Sequence, residues 1–178
     1  NLKIKECINN QAEIASLIIA PLLCVLLICL PLVINLLLSN EFSSIVTFTR
    51  ILFFGVFFQS FSWSISYVFI AKGDGALYIK TQLVTSIFKL LLMSLGYFYG
   101  QLIGLSLGYF LVQLLYLIYM WSIAYKKYNF NFNKSLIYLN CKHFILMLLI
   151  SVFIYLSKLC SNYELYFIFV AIIITIES

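Results

Sequence analysis

LLMSLGYFYGQLIGLSLGYF, Leu91 to Phe110, lies in the middle of an apolar run from Tyr78 to Ala124. Whether that run is one helix or two decides the fold. A single helix over it would be roughly 70 Å long at 1.5 Å per residue, against a hydrocarbon core of about 30 Å. It must fold back, and Gly100-Gln101 at its midpoint is the natural turn. Gly96, Gly100, Gly104 and Gly108 recur every four residues across that turn. Each pair on one helix is a GxxxG, a spacing that lets two backbones approach closely. The stretch predicts a tightly packed helical hairpin.

The lipid setting follows from composition. The chain has 178 residues, 64% hydrophobic and 10% charged, with a mean hydropathy of +1.08. Soluble domains are about 45–50% apolar and about 25% charged. A water-soluble core of this size could not hide so much apolar surface, so the solvent is lipid. Barrel strands alternate apolar and polar over about ten residues. These runs are apolar on all sides for much longer, which predicts helices. Apolar runs fall at 14–38, 45–71, 78–99, 102–124, 143–158 and 165–176, the last being short for a span and read as truncated. The expected fold is all-α, a polytopic transmembrane bundle of five to six spans. The opening NLKIKECINN, without an initiator methionine or signal peptide, and the short last run suggest a piece of a longer protein.

Orientation follows from the lysines. With the N-terminal segment numbered zero, the even connections hold Lys3, Lys5, Lys72, Lys80, Lys126, Lys127, Lys134 and Lys142. The odd ones hold Lys158, joined by Arg50 if it is counted with its nearest end. The positive-inside bias then places the N-terminal end, the 72–80 loop and the 125–142 loop in the cytoplasm. KGDG, Lys72 to Gly75, reads as a tight cytoplasmic turn. In it the glycines supply backbone freedom, Asp74 satisfies turn amides, and Lys72 and Lys80 hold the ends at the anionic leaflet. It lacks the GxxxxGK[ST] spacing and preceding strand of a phosphate-binding loop, so ATP hydrolysis by this chain is not supported.

Lys89 is the sharpest anomaly. It lies nine residues beyond Lys80, hence roughly 13 Å deep and near the bilayer midplane. An ion there costs about 2.5–3.5 kcal/mol on insertion scales and usually faces a cavity or a partner. No acid matches that depth, since Glu41 and Glu164 belong to outer loops and Glu13 and Asp74 to the cytoplasmic side. The readings stand side by side: a cavity lysine that meets an anionic substrate, or else a pair with a carboxylate in the missing part of the chain or a helix boundary placed wrongly. Arg50 lies about two turns into the second span, where snorkelling suffices; facing a cavity, its planar fork would suit phosphate oxygens. In QSFSWSIS, Gln59 to Ser66, the residues Gln59, Ser62 and Ser66 share one side. Close packing through small residues is the commoner cause of such a pattern, and a hydroxyl-lined sugar path is the other.

The remaining signals are bland. The five cysteines form no CxxC and no ligand set, which indicates neither zinc nor a disulfide framework. Cofactors are not expected. Pro21 and Pro31 interrupt the first span and predict kinks. YKKYNFNFNKSLIYLNCKH, Tyr125 to His143, reads as a basic, aromatic interfacial stretch, with His143 at a helix start and without a partner. Its few charges beside a membrane argue against nucleic acid.

Several of these pieces together resemble a known family. SNEF (Ser39–Phe42), RILFFGVFFQ (Arg50–Gln59), SYVFIAKGDG (Ser66–Gly75) and the Gly100–Gly104 hairpin before a long apolar span follow one another in order over about Leu36 to Tyr128. This order is similar to the C-terminal half of O-antigen and polysaccharide flippases, members of the multidrug, oligosaccharidyl-lipid and polysaccharide exporter superfamily. The resemblance implies a two-lobed transporter of twelve to fourteen helices around a central cavity, of which this chain is the second lobe and a missing N-terminal lobe the partner. It also implies translocation of undecaprenyl-pyrophosphate-linked oligosaccharide across the bacterial inner membrane, without enzymatic chemistry, with Lys89 and Arg50 as candidates to meet the pyrophosphate. The alternatives are a membrane-embedded polymerase or acyltransferase of polysaccharide assembly, and a drug exporter of the same fold.

Overall fold

The computed structural model describes residues 2–37 and 43–160 of the chain. The last apolar run at 165–176, the SNEF segment with Glu41, and Glu164 lie outside the described residues. Among the described residues the regular elements are four α-helices: α1 (Leu2–Leu37), α2 (Ser43–Ala71), α3 (Gly75–Tyr128) and α4 (Lys134–Cys160). Each is long and apolar enough to cross a membrane.

Helix α3 is two antiparallel arms, 75–99 and 102–128. Gly100 (φ −139°, ψ 18°) and Gln101 (φ 49°, ψ −130°) leave the helical region between them, and the chain turns back there. The glycines bring the arms together. A Cβ added to Gly104 would lie within van der Waals overlap of the Gly96 carbonyl, and one on Gly96 would meet the Gly104 carbonyl in the same way. Gly108 faces the Leu92 carbonyl one turn further on, where a Cβ would approach to 2.6 Å. No side chain fits between these backbones. At the turn it is Gln101, not the glycine, that carries the positive φ. An L side chain there costs about 1–3 kcal/mol that a glycine would not. Gln101→Gly is therefore expected to stabilise the protein by about 1 kcal/mol, read as a raised midpoint of thermal unfolding in detergent.

The α2–α3 connection is tight because α2 ends in a Schellman motif. Asp74 N–H donates to Phe69 O (2.9 Å) and Gly73 N–H to Ile70 O (3.0 Å), with Gly73 at φ +77°. Asp74 does not cap the turn amides as expected. Its carboxylate accepts from the Tyr128 hydroxyl and pairs with Lys127 Nζ at 2.9 Å, tying the start of α3 to its end. The 129–133 connection sits beside it. Asn9 of α1 donates to Asn131 O (3.5 Å) and accepts from Asn133 N–H (3.3 Å), and Phe130 is buried beside Ile8, Phe69, Met120 and Ala124. The lysine-bearing connections thus share one end of the bundle.

Three other expectations are corrected. Pro21 and Pro31 do not interrupt α1, which runs continuously through both. Proline deletes one backbone donor, and neighbouring turns of a long apolar helix hold the remaining ladder. Helix α4 begins at Lys134 rather than near His143, because Leu136 is already buried in the core shared by α1, α2 and α4. Nor is His143 an interfacial residue without a partner. It lies two and a half turns into α4, buried against α1, with Nδ1 3.4 Å from Ser16 Oγ. Ser16 gives its hydrogen to Asn140 Oδ1 (2.6 Å), so the imidazole Nδ1–H donates to the serine oxygen. This knot joins α1 to α4 where the surrounding contacts are apolar.

Packing runs in sequence. Helix α2 lies against α1 on one side and α3 on the other, and α4 closes on α1. The first arm of α3 is peripheral: Ile79, Leu83, Ile87, Leu90 and Leu91 all face outward.

Candidate functional site

A set of interior polar side chains gathers where α2 meets the two arms of α3. They form two layers, each centred on a tyrosine of the second arm. In the outer layer the Tyr109 hydroxyl donates to Gln59 Oε1 at 2.6 Å, and Lys89 Nζ stands over the Tyr109 ring, 4.7 Å from its centroid. Gln113, one turn along the same arm, is buried as well. In the inner layer Gln82 Nε2 donates to the Tyr116 hydroxyl (2.9 Å), which stands 3.4 Å from Ser66 Oγ. The register explains the repetition. Gln59 and Ser66, Lys89 and Gln82, and Tyr109 and Tyr116 are each seven residues apart. Seven residues is close to two turns, so each pair lies on one helix face about 10 Å apart.

The layers differ in what they leave unspent. In the inner one both hydroxyls are spent. Ser66 spends its hydrogen on Ser62 O (2.8 Å), so Tyr116 donates to Ser66 and accepts from Gln82. The outer layer keeps donors in hand. Lys89 is half-buried, and among the described residues its ammonium faces a ring rather than a carboxylate. Gln59 spends its carbonyl on Tyr109, leaving both amide hydrogens without a partner among the described residues. A cation over an aromatic face gains about 0.5–2 kcal/mol. That moderates the burial of the ammonium and still leaves its N–H groups to a ligand. Donors with no matching acceptor suit an acceptor-only ligand, such as a phosphate oxyanion.

Gln59 and Lys89, expected separately, are thus brought to one tyrosine. Ser66 belongs to the inner layer. Ser62 is fully buried and returns its hydroxyl to Phe58 O (3.1 Å) within its own helix, as Ser60 and Ser64 do to Phe57 O and Ser60 O. Back-bonded serines of this kind offer a small, satisfied surface to a neighbouring helix. Arg50 is elsewhere. It is half-buried and stands four and seven residues before Phe54 and Phe57, on the side of α2 that packs on Phe144 of α4. Nine residues separate it from Gln59, half a turn out of phase.

Sequence reading missed Tyr109, Tyr116 and Gln82. Their seven-residue spacing against the polar residues of two other helices was the available signal, and it acquires meaning only once those helices are known to be neighbours. No family model matches this chain, and no curated protein or solved structure is found to be similar to it.

Proposed function

We propose that this chain is the second lobe of a flippase. On this reading the full-length protein moves undecaprenyl-pyrophosphate-linked oligosaccharide, such as O-antigen units of lipopolysaccharide, across the bacterial inner membrane by alternating access. The lysine-rich end faces the cytoplasm, and the N-terminal lobe of the same protein completes the cavity. The protein is a transporter and not an enzyme.

The observation that carries the reading is Lys89. An ammonium in the middle of an apolar hairpin is expensive to insert, and here it is held over Tyr109 beside a second unspent donor, with no acid paired to it among the described residues. A pyrophosphate headgroup supplies what that arrangement lacks, a concentration of acceptors and negative charge. The peripheral first arm carries Lys89 on a helix whose other faces are apolar, which suits a ligand that presents a charged head beside a prenyl tail.

The test is reconstitution of the full-length protein in vesicles with a fluorescent short-chain prenyl-pyrophosphate-linked saccharide. The expected result is protein-dependent movement of the label between leaflets with the glycan unchanged. An extended or acylated glycan without movement would assign an enzyme. Movement of amphiphilic drugs in place of the saccharide lipid would assign an exporter.

A further inference from the structure

The least expected contact in the outer layer is made by a glycine. Gly55 lies one turn before Gln59 on α2 and is buried. A methyl group on it would lie 2.6 Å from both Cδ1 and Cε1 of Tyr109, and 3.5 Å from the Phe110 Cα. The flat ring of Tyr109 occupies the notch that the missing side chain leaves. From that seat its other parts reach two helices: the hydroxyl engages Gln59 of α2, and the ring receives Lys89 of the first arm. One side chain therefore decides where two donors on different helices stand.

We propose that Tyr109, seated in the Gly55 notch, is the positioning residue that sets the Lys89 ammonium and the Gln59 amide as a joint donor pair for one phosphate-class oxyanion. The inference rests on the reading of Lys89 as the headgroup residue, and adds the device that aims it. By taking the Gln59 carbonyl, the phenol turns the amide N–H groups toward the ligand. By offering a ring rather than a carboxylate, it holds the ammonium without neutralising it. A carboxylate at the same place would compete with a phosphate for the cation; an aromatic face attracts it weakly enough to release it. A lipid headgroup and a free phosphate share this chemistry, and the probes below separate the two.

The experiment measures binding of farnesyl pyrophosphate, inorganic pyrophosphate and farnesol to the full-length protein in detergent, on its monodisperse fraction. Farnesyl pyrophosphate is expected to bind and farnesol to bind at least about tenfold more weakly, since the charge-assisted bonds are lost. Tighter binding of the prenyl form than of inorganic pyrophosphate assigns the site to a lipid headgroup, and equal binding assigns it to the free anion. Tyr109→Leu and Gly55→Ala are each expected to weaken binding about tenfold, through loss or displacement of the ring. Tyr109→Phe keeps the ring and loses the bond to Gln59, for an expected loss of about threefold. Tyr109→Phe added to Gln59→Leu should cost nothing further, because the phenol acts through the Gln59 side chain that is already gone, whereas general loosening of the bundle would add. Loss of binding in Lys89→Ala with wild-type binding in Tyr109→Leu and Gly55→Ala would overturn the positioning role and leave the flippase reading in place. Wild-type binding in Lys89→Ala would overturn both.

Discussion

Gly104→Ala is expected to keep the α3 hairpin from closing. The new Cβ would be driven into the Gly96 carbonyl, nearer than any real Cβ approaches an oxygen, and the atoms it meets are backbone on the opposing arm. A flexible side chain could swing aside, but a peptide in mid-helix cannot. The arms must part by more than an ångström, which removes contacts along the whole crossing at once. Overpacking costs about 1–3 kcal/mol where neighbours can give, so about 3 kcal/mol or more is expected here, and Gly104→Leu should prevent accumulation of folded protein. Gly96→Ala meets the same contact from the other side, so the double substitution should cost little more than either single one. Gly100→Ala is the control: its Cβ meets nothing within 4 Å and its φ is −139°, so a change within about 0.5 kcal/mol is expected. Thermal unfolding of the full-length protein in detergent checks each variant that accumulates, and the yield of folded protein checks Gly104→Leu. Wild-type stability in Gly104→Ala would mean that the arms do not approach as described.

That hairpin was legible in the sequence because two independent constraints met at one place. A 47-residue apolar run, Tyr78 to Ala124, is too long for a bilayer, and a four-residue glycine repeat flanks its midpoint. The grouping of lysine-bearing connections was legible for a similar reason, since charge counts pool over whole segments and tolerate errors of a few residues at each boundary. The interior polar contacts were not. Asp74 looked like a turn residue because local bonding is what sequence neighbours can reveal, and its partners Lys127 and Tyr128 lie more than fifty residues away. His143 looked interfacial for the same reason, its partner Ser16 being on α1. Lys89 could be recognised as anomalous from depth alone, but what lies over or beside it depends on which face of α2 meets the hairpin. That face is selected by the Gly55 notch, and one glycine in an apolar helix announces nothing.

The electrostatic pattern of the bundle sorts its polar groups by purpose. Asp74 and Lys127 pair at the end of the bundle, partly exposed, where an ion pair contributes little and mainly holds two connections in place. Ser16, Asn140 and His143 bond to one another between α1 and α4, a closed set that a ligand could not enter without breaking it. The Tyr116 and Ser66 hydroxyls are spent in the same way. The outer layer alone among these combines a cation, a polar amide with spare donors and partial exposure, and it does so deep in the apolar run. Stability would be served by filling that layer with leucine. Its retention of a lysine is the kind of cost that function explains.

Lys89→Ala in the full-length protein is therefore expected to separate protein level from activity. Removing the ammonium relieves an insertion cost of about 2.5–3.5 kcal/mol and forfeits only the weaker attraction of the Tyr109 ring. The membrane should hold as much protein as before, or more. Transport should fall, because a charge-assisted hydrogen bond to a phosphate oxygen contributes about 1.5–3 kcal/mol, or about ten- to hundredfold in binding. Surface polysaccharide, measured per unit of protein in a host lacking its own copy of the protein, should drop to background. Lys89→Arg should retain a large part of the display, since guanidinium keeps the charge, stacks on an aromatic face and can donate to two phosphate oxygens together. Lys89→Met, close in volume and neutral, should behave as alanine does, which separates charge from bulk. Arg50→Ala should leave display unchanged, because Arg50 stands on the side of α2 that packs on Phe144, away from Gln59 and Lys89. Normal display from Lys89→Ala would remove the ammonium from the substrate path, and loss of display from Arg50→Ala alone would move that path to the opposite side of α2.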